Sequence, residues 1–464
     1  MQQARVFFQG KGTKEFFLRI FFLTAVVGFA LLVGILGTIL LISRGDPFRV
    51  FSWDIFALGG RYSYSDYLET ITFCFLKNPY ADADAARCIY FPISYLILYP
   101  FALLGKDAAN AYLSDLTLIQ HPESLPGFLA SYLPYVVLSV GIILFLIAYF
   151  SRLKGWNLFY LLVGSLLHGS VIYTFARGNT IFIAFIGVIL FFGFYNDHRP
   201  WAREIGYLGL ALAIAIKAYP VLLAMVFFRE RRFFPLVRTA LYTVALAFLP
   251  FLLVPGGFSN LALLLHNMSA FSGDNMRMHL FNNITWASLI AKIQYVFDLL
   301  VLWGKEGFSA VALALSRYND GFVMAQATRV ISMLIGLLAS VFTFVMSCFK
   351  PKEKSSFPYL ALLFTNFMLF PTVHYCYVHL FFLFLVLVYL HEFPSFSKNR
   401  RILYGVALLL PTFSLPYLVR FVIPGFVAQL ILFVGAVIDL SKLYWGKNPS
   451  DSEPISPGAE HCPE

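Results

Sequence analysis

The chain has 464 residues, of which 59% are hydrophobic, 18% aromatic and only 12% charged, with a net charge of +10. A soluble domain carries about a quarter charged residues, so most of this surface must meet lipid rather than water. The positive balance does not indicate nucleic acid as a partner, because the basic residues are scattered through short segments between apolar runs.

Residues 16–42 are apolar for longer than the roughly 20 residues that carry a helix across about 30 Å of hydrocarbon. The run is too long for a signal-peptide core and no small-residue cleavage site follows, so it reads as a retained first helix. Basic clusters then recur between apolar stretches: Arg152 and Lys154, Arg199 and Arg203, Arg229 to Arg232, Lys350 to Lys354, and Lys398 to Arg401. Positive charge in short loops marks the cytoplasmic side. Threaded by that rule, 44–127 and 256–328 are outer loops, and 1–446 forms one transmembrane domain. The polar, Pro-rich tail 447–464 is expected to be cytoplasmic and disordered.

The first outer loop holds "SDYLETITFCFLKNPY", residues 65–80, which places two carboxylates, Asp66 and Glu69, among aromatics. The apolar stretch 90–104 that follows is short, and both of its flanks must be outside. It reads as a re-entrant or juxtamembrane helix, a backbone tolerated at that depth only under cover of protein or a water-filled cavity. Ordinary spans are expected at 128–150, 157–175, 180–195 and 235–254, then at 329–349, 357–370, 375–390, 402–418 and 421–440. Residues 286–303 in the second outer loop read as an interfacial helix.

One stretch breaks the pattern. "LALAIAIKAYPVLLAMVF", residues 210–227, has basic residues on both sides, so the chain must enter the membrane and return. Two arms of about 12 residues reach only about 18 Å each. Lys217 is then the tip of a buried hairpin, where an ammonium costs roughly 2.5–3.5 kcal/mol and calls for an anion. The fold class is therefore all-α: a polytopic transmembrane helical bundle of about 12 membrane segments, including this hairpin, with juxtamembrane helices in two outer loops.

Polar residues collect at the outer ends: Asp66, Glu69, Arg177-Gly178-Asn179, Asn282-Asn283 and His374-Tyr375, with Lys217 pointing the same way. These residue types suit glycosyl transfer from a lipid phosphate. A carboxylate takes the acceptor's proton, and the departing phosphate needs cations and N–H donors rather than a general acid. Neither a cofactor nor a metal is called for. Asp82-Ala83-Asp84 has DxD spacing but reads as a solvated loop, and no His/Cys arrangement has zinc spacing. Cys74 and Cys88 share the outer loop, as a disulfide in an oxidising compartment or as two free thiols.

A carboxylate after the first span, Asn78-Pro79-Tyr80, and Tyr90-Phe91-Pro92 opening a short apolar helix together resemble glycosyltransferase family 87, of GT-C fold. Arg177-Gly178-Asn179, "AIAIKAYPVLL", "FNNITWASLIAKI" and "FPTVHYCYVHL" follow in matching order, over most of 65–390. The resemblance implies a polyprenyl-phosphate-sugar-dependent, mannosyltransferase-like integral membrane protein, active on the extracytoplasmic side of a bacterial inner or plasma membrane. It implies Asp66 as general base. Arg177, Asn179, Lys217, Asn283, His374 and Tyr375 are candidates for binding donor phosphate or sugar, with Glu69 orienting a glycolipid or glycan acceptor. The chain departs from the family where only Pro92 stands for a double proline, where Gly178-Asn179 replaces Gly-Gln, and where Asn283-Ile284-Thr285 replaces Asn-Gln-Ser. A saccharide ligase or polymerase would rest on paired arginines, and Arg277 and Arg317 are sparse. A flippase would need polar inner loops, and a non-catalytic assembly subunit would need no base.

Overall fold

The computed structural model describes residues 2–44, 64–81, 88–115, 124–278, 285–307, 326–349, 357–369, 376–413 and 423–445. Among these residues the secondary structure is α-helix with short 3₁₀ turns and no strand. Asp82-Ala83-Asp84, Asn283, His374, Tyr375 and the tail after Lys447 lie outside the described residues.

The chain opens with α1 (Gln2–Arg44). Three short helices follow: α2 (Ser65–Phe73), α3 (Ile93–Leu104) and α4 (Lys106–Ser114). They pack on one another. Next come α5 (Phe128–Ser151), α6 (Gly155–Leu166), α7 (Gly169–Arg177), α8 (Ile181–Phe194) and α9 (Pro200–Ile216). Then α10 (Met225–Arg229), α11 (Phe233–Phe248), α12 (Asn260–Met278), α13 (Trp286–Glu306) and α14 (Gln326–Cys348) continue the bundle. It closes with α15 (Phe357–Leu369), α16 (Phe382–Glu392), α17 (Lys398–Leu409) and α18 (Ile423–Trp445).

Among the described residues six stretches are long and apolar enough to cross a bilayer: Thr13–Gly34, Phe128–Ser151, Phe233–Leu253, Val330–Cys348, Tyr377–Ser395 and Pro424–Lys442. The expected span 157–175 is not one straight helix, because α6 and α7 meet at a 44° bend. His168 makes the break: its Nδ1 accepts from the Ser170 amide at 3.3 Å and so caps α7. α13 extends a little beyond the expected interfacial helix. Trp286 and Leu289 pack with Ala339 of α14, and Ile293, Phe297 and Leu300 stay exposed.

The hairpin is present. α9 begins with Pro200 in its first turn, where a missing N–H is harmless, and ends at Lys217, whose backbone is extended. The chain returns through the 3₁₀ turn Tyr219–Ala224 and α10. Arg232 fixes the return by donating to the Tyr207 hydroxyl at 3.1 Å and the Tyr195 carbonyl at 3.3 Å. Residue 232 therefore comes back to the level where α9 began, with Lys217 at the far end. The outgoing arm has 17 residues, about 25 Å, longer than the expected dozen. α8 supports it at close range, since a Cβ at Gly187 would meet the Gly209 carbonyl oxygen, and the reverse.

Candidate active site

The polar cluster starts at a corner between helices. α7 ends at Gly178, whose φ of +66° is a conformation that disfavours any side chain. A Cβ there would lie 2.5 Å from the Cβ of Tyr67 and 3.2 Å from the Tyr132 ring. The bare glycine thus lets α2 sit directly on the corner, and the Tyr64 amide donates to the Ala176 carbonyl at 2.7 Å to hold it there. Aromatic packing closes the contact: Tyr67 stacks on Tyr135 at 5.1 Å and meets Tyr132 edge-on at 5.0 Å. The Tyr67 hydroxyl shares a 2.6 Å hydrogen bond with Ser131, whose hydroxyl donates to the Phe101 carbonyl at 2.7 Å.

The residues flanking Gly178 grip Asp66 from both sides. Arg177 Nη2 donates to Asp66 Oδ1 as an ion pair, with the side chains only 18% and 14% exposed. Asn179 Nδ2 donates to Asp66 Oδ2 at 2.6 Å. The Asn179 amide cannot turn over, because its Oδ1 accepts from the Ile181 amide at 3.0 Å. Arg177 and Asn179, expected at the donor phosphate, are thus engaged with the carboxylate.

Lys217 reaches the same cluster from the hairpin tip. Its Nζ donates to the Tyr90 hydroxyl at 3.1 Å and lies 4.3 Å from the centre of that ring, with Tyr377 at 5.8 Å. Such cation–π contacts are worth about 0.5–2 kcal/mol and partly offset the desolvated charge. Asp66 acts electrostatically on Lys217, and Tyr90 lies in range of Asp66, Glu69, Arg177 and Tyr219. Glu69 is half-buried one turn beyond Asp66. Burial, and then the charge of Asp66, push its carboxyl up to about 7 against the pull of Arg177.

Tyr90, named in Tyr90-Phe91-Pro92, and Tyr219 and Tyr377, each inside one of the motifs, were not among the expected binding residues. Cys74 and Cys88 are free thiols, both pushed up to about 12, chiefly by burial, and hence protonated at neutral pH. Cys88 Sγ lies 2.7 Å from the Tyr95 hydroxyl. A separate cavity of about 320 Å³ opens at the basic end, lined by Phe192, Arg229, Tyr359 and His391 among others, away from Asp66.

An all-helical chain with this many membrane-length helices, gathering Asp66, Glu69, Arg177 and Lys217 at one end, is an integral membrane protein with a polar site. It belongs to glycosyltransferase family 87, whose family model matches residues 89–348, more than half of the chain. It is therefore a membrane glycosyltransferase. The matched region contains Tyr90, Arg177, Asn179 and Lys217, whereas Asp66 and Glu69 precede it. No curated protein and no solved structure matches the chain significantly.

Proposed function

We propose that this enzyme moves a sugar, mannose or another hexose or pentose, from a polyprenyl-phosphate donor to a glycolipid or glycan acceptor. The reaction takes place on the extracytoplasmic side of a bacterial plasma membrane, with inversion and without a divalent metal. One observation carries the reading: Asp66 and Lys217 converge at the end of the bundle opposite Arg199, Arg203 and Arg229. The positive-inside rule assigns those arginines to the cytoplasm, and cytosolic nucleotide sugars do not reach the other side.

In this mechanism Asp66 accepts the proton of the acceptor hydroxyl while that oxygen attacks C1 of the sugar. The C1–O bond breaks, and phosphate leaves with the electron pair, so no acid is needed at the leaving group. Lys217 meets the growing charge with a charge-assisted hydrogen bond. Arg177 and Asn179 each donate to the carboxylate and keep it aimed. His374, Tyr375 and Asn283 are proposed donor-binding residues from the motifs alone.

Purified protein in proteoliposomes, supplied with radiolabelled polyprenyl-phosphate-mannose, tests this. Asp66→Asn should lower transfer about 10²–10⁴-fold with donor binding retained. Transfer within a few-fold of wild type would remove Asp66 as the base. Efficient transfer from nucleotide sugars would remove the lipid-phosphate donor.

A further inference from the structure

Glu69 stands one helical turn after Asp66, so both carboxylates lie on one face of α2. Their surroundings differ. Asp66 has one oxygen on Arg177 and the other on Asn179. No hydrogen bond reaches the Glu69 carboxylate among the described residues, nor is it sealed from solvent. The titratable groups in range of it come from α2 itself, α7, α4 and the segment before α3, while α5 packs on α2 with Tyr132 and Tyr135 against Tyr67. Those in range are Asp66 on its own helix, Arg177 at the end of α7, Tyr90 before α3 and Tyr112 on α4. Lys106 and Asp107, which open α4, are exposed.

Both Asp66 oxygens already accept hydrogen bonds, from Arg177 and Asn179, so a proton that reaches this carboxyl competes with those donors. Glu69 is the neighbouring carboxyl whose burial favours the protonated form. The geometry points to a carboxylate pair in which Asp66 takes the acceptor's proton and Glu69 receives it from Asp66. This rests on the transfer reaction proposed above. The acceptor O–H bond breaks, the new O–C1 bond forms, and the phosphate departs with its electron pair. The proton passes from Asp66 to Glu69 and then to outer water, so both carboxylates are ionised before the next turnover. Glu69 acts through Asp66 and is a positioning residue for the proton, not a group that contacts the sugar.

The sign of the pH dependence follows. Below about 7 Glu69 already carries a proton and cannot accept another, so kcat falls as pH drops through that value. Glu69→Gln keeps the shape of the protonated acid and accepts nothing at any pH. The kcat of both proteins would be measured with polyprenyl-phosphate-mannose between about pH 5.5 and 8.5. The variant should be about 10- to 100-fold slower than wild type at the alkaline end and should lose the step near 7. A variant near wild-type rate overturns the inference, and so does a slow variant that keeps the step.

A second measurement does not depend on turnover or on a variant of Glu69. Dicyclohexylcarbodiimide modifies protonated carboxyls in apolar surroundings, and mass spectrometry of the wild-type protein reads the site. Glu69 should be labelled with a midpoint near 7, and Asp66→Asn, by removing the neighbouring negative charge, should move that midpoint to lower pH. An unlabelled Glu69, or a midpoint indifferent to Asp66→Asn, overturns the pairing. If the wild-type protein transfers nothing from lipid-phosphate donors, the proposed reaction falls, and the labelling still decides whether the two carboxylates are coupled.

Discussion

Gly178→Ala tests whether the α7–α8 corner positions Asp66, the proposed base. At φ +66° an alanine costs about 1–2 kcal/mol in backbone strain alone. Its Cβ would also meet the Tyr67 Cβ at 2.5 Å, so α2 must retreat by roughly 1 Å to reach ordinary contact. Asp66 rides on α2 and would retreat with it. A 2.6 Å bond from Asn179, lengthened by about that much, is no longer a hydrogen bond. Hydrogen bonds to charged groups contribute about 1.5–3 kcal/mol, and each 1.36 kcal/mol is a factor of ten in rate. A loss of kcat of about 10- to 100-fold is expected, with donor affinity nearly unchanged because Lys217 approaches from another element. Steady-state transfer and donor binding on the same detergent-purified sample would separate the two. Gly141→Ala on α5, where a Cβ would meet nothing within 4 Å, serves as the control. A Gly178→Ala enzyme with kcat within twofold of wild type would show that Asp66 does not depend on this corner.

Lys217→Met should weaken binding of a fluorescent polyprenyl-phosphate sugar about 10- to 100-fold, and arginine should not restore it, because a planar fork differs from a point ammonium. Unchanged affinity in a stable variant would return the lysine to a structural role beside Tyr90. Transfer should continue at full rate in excess EDTA, and an activity lost to EDTA and restored by magnesium or manganese would refute the metal-free mechanism. Gly187→Val should push α8 off α9 and cost about 1–3 kcal/mol, seen as a lower melting temperature in detergent. An unaltered melting temperature would mean that the helices have room to spare.

The bundle and the hairpin were legible because charge placement and span length are local properties of a sequence. Basic residues on both sides of a short apolar run forced the turn at Lys217, and the chain turns there. Asp66, Arg177 and Asn179 were each singled out, but the bonds among them were not. They lie 111 and 113 residues apart, and the contact depends on a left-handed glycine whose consequence appears only when α2 docks. The ammonium's neighbour Tyr90 was hidden for another reason. In a chain with 26 tyrosines, nothing local distinguishes one that meets a lysine from one that fills space. The break at His168 had a visible sign, a His-Gly-Ser step inside an apolar run, which span counting passes over.

The irregular return arm of the hairpin also bears on biogenesis. A 3₁₀ turn at membrane depth leaves backbone groups that lipid cannot satisfy, so the turn must be covered by protein. Much of that cover is synthesised far later in the chain. Tyr219 stacks on Phe367 of α15 at 5.7 Å and meets Phe381, just before α16, edge-on at 6.4 Å. During synthesis the lysine-bearing tip emerges long before these helices exist. Its final seat forms only when the C-terminal helices arrive, so a truncated chain would insert its early spans yet leave the tip uncovered. Completion of the polypeptide becomes the condition under which the ammonium takes its place beside Tyr90.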